Sequence, residues 1–65
     1  MKYLKLKSYF VENGIKLDTV ASVLGISRTT LSKKINRFEG TDFKLDEVRT
    51  LCRLYKLDAN KFFLI

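Results

Sequence analysis

The stretch that most constrains the fold is Thr19–Arg37, TVASVLGISRTTLSKKINR, which predicts two short helices joined by a tight turn. Apolar side chains recur through its first half, and the pattern stops at Gly25. Glycine commonly ends a helix in this way, because it adopts the left-handed backbone at little cost. Ser27 then suits the N-cap of a second helix, since its hydroxyl oxygen can accept a free backbone N–H of the first turn.

The second predicted helix has two unlike faces. Leu31 and Ile35 lie four residues apart and therefore share one apolar side. The opposite side carries small, polar and basic residues at helical spacing, namely Thr29, Ser32, Lys33 and Asn36. A helix that is anchored on one side and polar and basic on the other suits the major groove of DNA.

The charge of the chain is basic and unevenly distributed. The 65 residues, enough for one domain spanning 1–65, include 13 Lys and Arg against 7 Asp and Glu, for a formal net charge of +6. No acidic residue lies between Thr19 and Phe38, whereas Arg28, Lys33, Lys34 and Arg37 all do. This distribution favours a polyanionic partner. The total charge alone would fit a merely soluble basic protein equally well.

Helices are also predicted on both sides of this stretch. Helix 1 is expected over Lys2–Asn13, helix 4 over Leu45–Tyr55 and a short last helix over Asp58–Leu64, with Asp58 as its N-cap. The expected core face of helix 1 is formed by Tyr3, Leu6 and Phe10, with Leu4 and Val11 beside them. That of helix 4 is formed by Val48, Leu51, Cys52 and Tyr55. Phe38 and Phe43 are expected to hold the intervening loop to the core.

The run Val20-Ala21-x-x-Leu24-Gly25-Ile26-Ser27-x-x-x-Leu31-Ser32-x-x-Ile35 resembles the helix-turn-helix of the phage repressor and Cro family, which comprises lambda-repressor-like, Xre-type domains. The resemblance continues through Leu45-Asp46-Glu47-Val48 and Leu57-Asp58-x-x-x-Phe62-Phe63. It implies an all-α, compact five-helix domain whose helices 2 and 3 form the helix-turn-helix. Family members more often carry Thr or Ser where this chain has Lys16 and Lys44, so helices 2 and 4 are expected to start one or two residues late.

The resemblance also implies which residues contact DNA, with a recognition helix at about 28–37 in the major groove. Bases would be read by Arg28, Thr29 and Lys33, with Ser27 at the groove edge and Ser32 beside them. The DNA backbone would be contacted by Lys16, Thr30, Lys34, Asn36, Arg37 and Thr41. Each of these side chains has a plainer alternative as a solvated surface group, and Asn36 would bind adenine if it reached a base.

The short length resembles a Cro-like phage transcription regulator, which would bind a palindromic operator as a homodimer. The apolar end of the chain offers a candidate dimer surface, Phe62, Phe63, Leu64 and Ile65, although part of it is equally expected to pack inside. The alternative from a different class is a protein-interaction module on the same fold, an antitoxin or antirepressor that occupies a partner protein. Such a module would not need an acid-free basic helix.

The remaining sequence features bear on chemistry and location. The chain has no histidine and its acids are scattered, so no general base or activated nucleophile is expected and the protein is predicted not to be an enzyme. Its single cysteine allows no internal disulfide, which fits a reducing compartment, and a Cys/His zinc site is excluded. Without an apolar run of about 20 residues or a signal peptide, the expected location is the cytoplasm, and the resemblance implies that of a bacterial host cell.

Overall fold

The computed structural model describes residues 3–63, and this part of the chain is all-helical, with five α-helices and no strand. The elements in chain order are α1 (Leu4–Glu12), α2 (Leu17–Leu24), α3 (Arg28–Asn36), a 3₁₀ turn (Phe38–Gly40), α4 (Leu45–Tyr55) and α5 (Ala59–Phe62). The predicted all-α class with five helices is thereby confirmed, as are the bounds of α4.

The core lies where α1, α2, α3 and α4 meet. Its most enclosed side chains are Leu6, Phe10, Val20, Leu31 and Leu51. Tyr3, Leu6 and Phe10 are all buried, which confirms the predicted face of α1. Leu4 and Val11, expected beside them, are instead 61% and 72% exposed. They lie on the outer side of α1, because helical spacing turns them away from the buried face.

The lysines at the starts of α2 and α4 do not delay these helices. Both helices begin at the next residue, so the expected late start is wrong. At α4 the carboxylate of Glu47 accepts the backbone N–H of Lys44 at 2.8 Å. This is one half of a capping box, and it satisfies a free helix-end donor without a Thr or Ser cap. At α2 the side chain of the N-cap residue Lys16 makes no capping bond, and Asp18 lies favourably at the positive helix end.

The segment after α3 departs from its prediction. The helix ends at Asn36, because Arg37 adopts a left-handed backbone with φ 52°. Had the helix continued, Phe38 would have followed Leu31 and Ile35 on the buried face. Phe38 is instead 51% exposed, so its expected role in the core is wrong. Phe43 does pack against the core, as expected.

The C-terminal helix is short and well capped. The Asp58 carboxylate accepts the backbone N–H of Asn60 at 2.9 Å, which confirms the predicted N-cap. Phe63 is buried against the rings of Tyr3 and Phe43, and Phe62 is half-buried. Of the predicted dimer surface, Leu64 and Ile65 lie outside the described residues. Because Phe63 is buried in the core, its side chain is not available to a second copy of the chain.

Cys52 is half-buried and packs against the core, in agreement with its predicted role as a small apolar residue. Burial raises the pKa of its thiol, and the negative charge of Asp58 adds to the effect. A raised thiol pKa lowers the fraction of reactive thiolate at neutral pH.

Candidate nucleic-acid interface

The start of α3 is fixed by a side-chain cap. Ser27 has an extended backbone and its Oγ accepts the N–H of Thr30 at 3.1 Å. The same hydroxyl donates to Thr30 Oγ1 at 2.9 Å. Just before it, Gly25 ends α2 with a left-handed backbone at φ 69°. The predicted helix end at Gly25 and the predicted N-cap at Ser27 are both confirmed. Together they fix exposed Arg28 as the first residue of α3.

The two faces of α3 differ as predicted. Leu31 and Ile35 are buried in the core, so the inner face holds the helix in one position. Arg28, Thr29 and Lys33 are exposed on the outer side. The half-buried positions along the helix are Thr30, Ser32 and Asn36. An anchored helix with exposed cations can present the same side chains to a ligand in a constant arrangement.

Arg28 has one nearby acid. Its Nε lies 3.8 Å from the Asp18 carboxylate of α2, and the two side chains are 66% and 71% exposed. An ion pair that is this long and this exposed contributes little, at most about 1 kcal/mol. The guanidinium group is therefore available to a stronger anion at little cost.

A shallow concavity of about 230 Å³ lies on the outer side of α3. It is lined by Ser32, Lys33, Asn36 and Phe38. The Asn36 amide nitrogen donates to the Ser32 backbone carbonyl at 3.0 Å, with a longer contact to Ser32 Oγ at 3.4 Å. The amide is thus oriented by its own helix, and its carbonyl oxygen is the group left for an external donor.

Lys34 requires a correction. The sequence assigns it to the DNA backbone, but its ammonium group lies 2.6 Å from Glu47 Oε1 and both side chains are only 8% exposed. The Glu47 carboxylate also receives the Lys44 N–H, so this pair joins α3 to the start of α4. Because Lys34 is buried and paired, we remove it from the candidate DNA contacts.

Arg37 is partly occupied by contacts within the protein. Its guanidinium group lies 3.0 Å from the Asp42 carboxylate and 5.5 Å from the centre of the Tyr3 ring. The Tyr3 hydroxyl donates to Asp42, whose same oxygen accepts the Phe43 N–H at 2.7 Å. These contacts connect the start of α1, the end of α3 and the following loop. Arg37 keeps about a third of its side chain exposed.

The same cluster shifts two pKa values in opposite directions. Burial and the hydrogen bond to Asp42 raise the pKa of Tyr3 to about 12. Burial alone would raise the pKa of Asp42, but the hydrogen bonds from Tyr3 and Phe43, together with the charge of Arg37, hold it below its usual value. Asp42 is therefore a carboxylate at neutral pH, and it forms the ion pair with Arg37.

The two remaining predicted backbone contacts lie outside α3. Lys16 is exposed and makes no capping bond with its side chain. Thr41 is half-buried at the end of the 3₁₀ turn, where its N–H donates to the Phe38 carbonyl at 2.9 Å. The exposed Glu39 stands in the same turn, so the cationic surface is bordered by one acid there and by Asp18 at the other end of α3.

Two features of this region are missing from the sequence predictions. A glutamate three residues after Lys44 is a recognisable capping signal, so the role of Glu47 at the start of α4 could have been predicted. No comparable sequence pattern indicates that Glu47 pairs with Lys34. The Tyr3–Asp42 hydrogen bond joins residues 39 apart in the chain, and no local pattern indicates it.

Within residues 3–63 there is no group of three or more His, Cys, Asp or Glu side chains placed to hold a metal ion. No helix of this part of the chain has the length and apolar character that crossing a membrane requires. Neither a protein-family model, nor a curated protein, nor a solved structure matches the chain. The resemblance to the phage repressor and Cro family therefore stays a prediction.

Proposed function

We propose that this protein is a sequence-specific double-stranded DNA-binding transcriptional regulator. In this proposal α2, the turn through Gly25–Ser27 and α3 act as a helix-turn-helix, and α3 enters the major groove. One observation carries the proposal: the outer side of α3 is exposed and cationic with no acid of its own, while its inner side is fixed in the core. The resemblance to Cro-like phage regulators supports it further.

Base recognition is assigned to the first two turns of α3. Arg28 and Lys33 carry donors that suit the O6 and N7 acceptors of guanine, and the methyl group of Thr29 suits that of thymine. Ser27 and Ser32 lie beside them and supply hydroxyl groups at the groove edge. Binding would break the Arg28–Asp18 contact, which is weak enough to be replaced by a base or a phosphate.

Affinity without sequence preference is assigned to groups on α3, at its C-terminal end and at two positions outside it. These are Lys16, Thr30, Asn36, Arg37 and Thr41, with Lys34 removed because it is buried. Cations that neutralise phosphates release counterions, so binding should weaken as salt rises. Arg37 would contribute through the part of its side chain that the Asp42 pair leaves exposed.

Titration of duplex DNA of random sequence at several salt concentrations tests the proposed face. On DNA of random sequence the cations of Arg28 and Lys33 would contact phosphates in place of their preferred bases, so we expect Arg28→Ala and Lys33→Ala each to shallow the salt dependence by about one unit. Arg49→Ala is a matched control, since Arg49 is exposed and lies two residues, or about 200°, around α4 from Glu47, which faces α3. The assignment of α3 is refuted if all three variants bind alike.

The second candidate function is a protein-interaction module, an antitoxin or antirepressor, and exposed Phe38 is the observation that favours it. Its ring stands beside Ser32, Lys33 and Asn36, and an apolar group on a polar surface is a common anchor of protein interfaces. Binding to DNA at low salt supports the first candidate. Failure to bind any duplex at low salt would favour the second.

A further inference from the structure

The outer side of α1 exposes two large apolar side chains that the core does not use. Leu4 and Val11 lie seven residues apart, and residues at that spacing differ by only about 20° around a helix. They therefore form one apolar edge along the length of α1. Isolated exposed apolar residues are common, but an aligned pair along one edge is a surface that another protein can cover.

A second, charged edge runs beside the apolar one. Lys5 and Glu12 are also seven residues apart and both are exposed. Ser8 lies between the two edges, near the middle of α1, and its small side chain leaves room for close approach. Shallow concavities of about 400 Å³ and about 250 Å³ flank the helix, and both are lined by Ser8 and Glu12. The larger one also borders Phe62 of α5.

A two-fold axis that passes by Ser8 would bring the two edges of one copy against complementary edges of a second copy. A two-fold axis across two antiparallel helices places equivalent edges together while reversing their direction. Leu4 then faces Val11 of the second copy, and Lys5 faces Glu12 of the second copy. A parallel pairing would instead set each apolar edge against a charged edge. Both apolar and charged contacts are satisfied only in the antiparallel arrangement.

We propose that the outer side of α1 is the docking surface for a second copy of this chain, with the two α1 helices antiparallel. Of the C-terminal residues first expected to pair the chains, Phe62 borders this surface and Phe63 is buried in the core. The proposal concerns association of the free protein and does not depend on DNA binding. The charge pattern selects a second copy over an unrelated partner, because Lys5 and Glu12 each find their complement in the same sequence.

The size of this surface indicates a weak dimer. A helix of nine residues is about 14 Å long, so two such helices with their flanks bury less than the roughly 1,200 Å² typical of stable complexes. We expect association that depends on protein concentration, in the range from about 10 µM to about 1 mM.

Sedimentation equilibrium with charge-exchanged variants tests this geometry. In Lys5→Glu each contact becomes two acids, and in Glu12→Lys each becomes two cations, so each variant alone should dimerise about tenfold or more weakly than the original chain. An equal mixture of the two variants should dimerise about as well as the original, because both contacts then join opposite charges. Both substitutions place charge favourably on the helix dipole, so folding should be preserved.

Arg49→Glu, which changes the net charge as Lys5→Glu does, is the control and should leave association unchanged. The result that supports the proposal is loss of dimer in each variant and its recovery in the mixture. A chain that stays monomeric at about 1 mM would overturn the proposal. Dimerisation that is indifferent to both α1 substitutions would also overturn it and would place the contact elsewhere, as would loss without recovery in the mixture.

Discussion

Replacing Lys34 by methionine removes the cation of the buried pair with Glu47 while keeping a side chain of similar length. The Glu47 carboxylate would stay in place, bonded to the Lys44 N–H at the start of α4. Since the two paired side chains are each only 8% exposed, water cannot readily replace the lost ammonium group. Removing one partner of a buried ion pair typically costs about 3–5 kcal/mol.

Lys34→Met should therefore lower the free energy of unfolding by about 3 kcal/mol at pH 7. A chain of 65 residues has a total stability of about 3–10 kcal/mol, so the variant would be severely weakened at neutral pH.

Urea unfolding followed by circular dichroism at pH 7 measures this difference against the original chain. Lys33→Met is the matched control, because Lys33 is the exposed neighbour on the same helix, and we expect a change within about 0.5 kcal/mol. Adding Glu47→Gln to Lys34→Met should restore most of the loss, since no buried charge then remains. The importance of the buried pair is refuted if the two methionine variants unfold alike at pH 7, or if adding Glu47→Gln restores none of the loss.

Three further predictions concern the turn before α3 and the loop after it. Ser27→Ala should lower the free energy of unfolding by about 1 kcal/mol in urea, because the Thr30 N–H loses its acceptor. Gly25→Ala should cost about 1–2 kcal/mol in the same assay, from the left-handed backbone alone, since an added Cβ would meet no atom within 4 Å. Asp42 has a lower pKa in the folded chain, so its stabilisation is present above the unfolded value near 3.9 and is lost as the pH falls through the folded value. The stability difference between the original chain and Asp42→Asn, measured in urea, should therefore shrink between about pH 5 and about pH 2.

Much of the helical framework could be predicted from local sequence. Gly25, Ser27 and Asp58 occupy the helix ends that their chemistry predicts, and the bounds of α4 agree at both ends. These features depend on backbone conformation and on hydrogen bonds within a few residues. The apolar face of α1 could equally be predicted from the spacing of its apolar residues, because Leu6 and Phe10 lie on one side of the helix and reach the same core.

The errors arise where distant segments meet. Phe38 was predicted to hold the loop after α3 to the core, but it is exposed. At the end of α3 it is Arg37 that contacts Asp42 and Tyr3. Lys34 was interpreted as a surface cation because no residue near it in the sequence indicates that Glu47 packs against it. Periodicity describes one helix at a time, whereas these outcomes depend on how the end of α3 meets α1 and α4. The proposed DNA contacts of Arg28, Thr29 and Lys33 stay predictions.

The most direct test of the central claim, that α3 reads DNA sequence, is selection from a pool of random duplexes at low and moderate salt, followed by sequencing of the bound fraction. We expect an enriched motif with inverted half-sites, and loss of preference at one base position in Arg28→Ala or Lys33→Ala. Salt-sensitive binding without any enriched motif would contradict sequence recognition, and absence of binding at low salt would contradict DNA binding altogether.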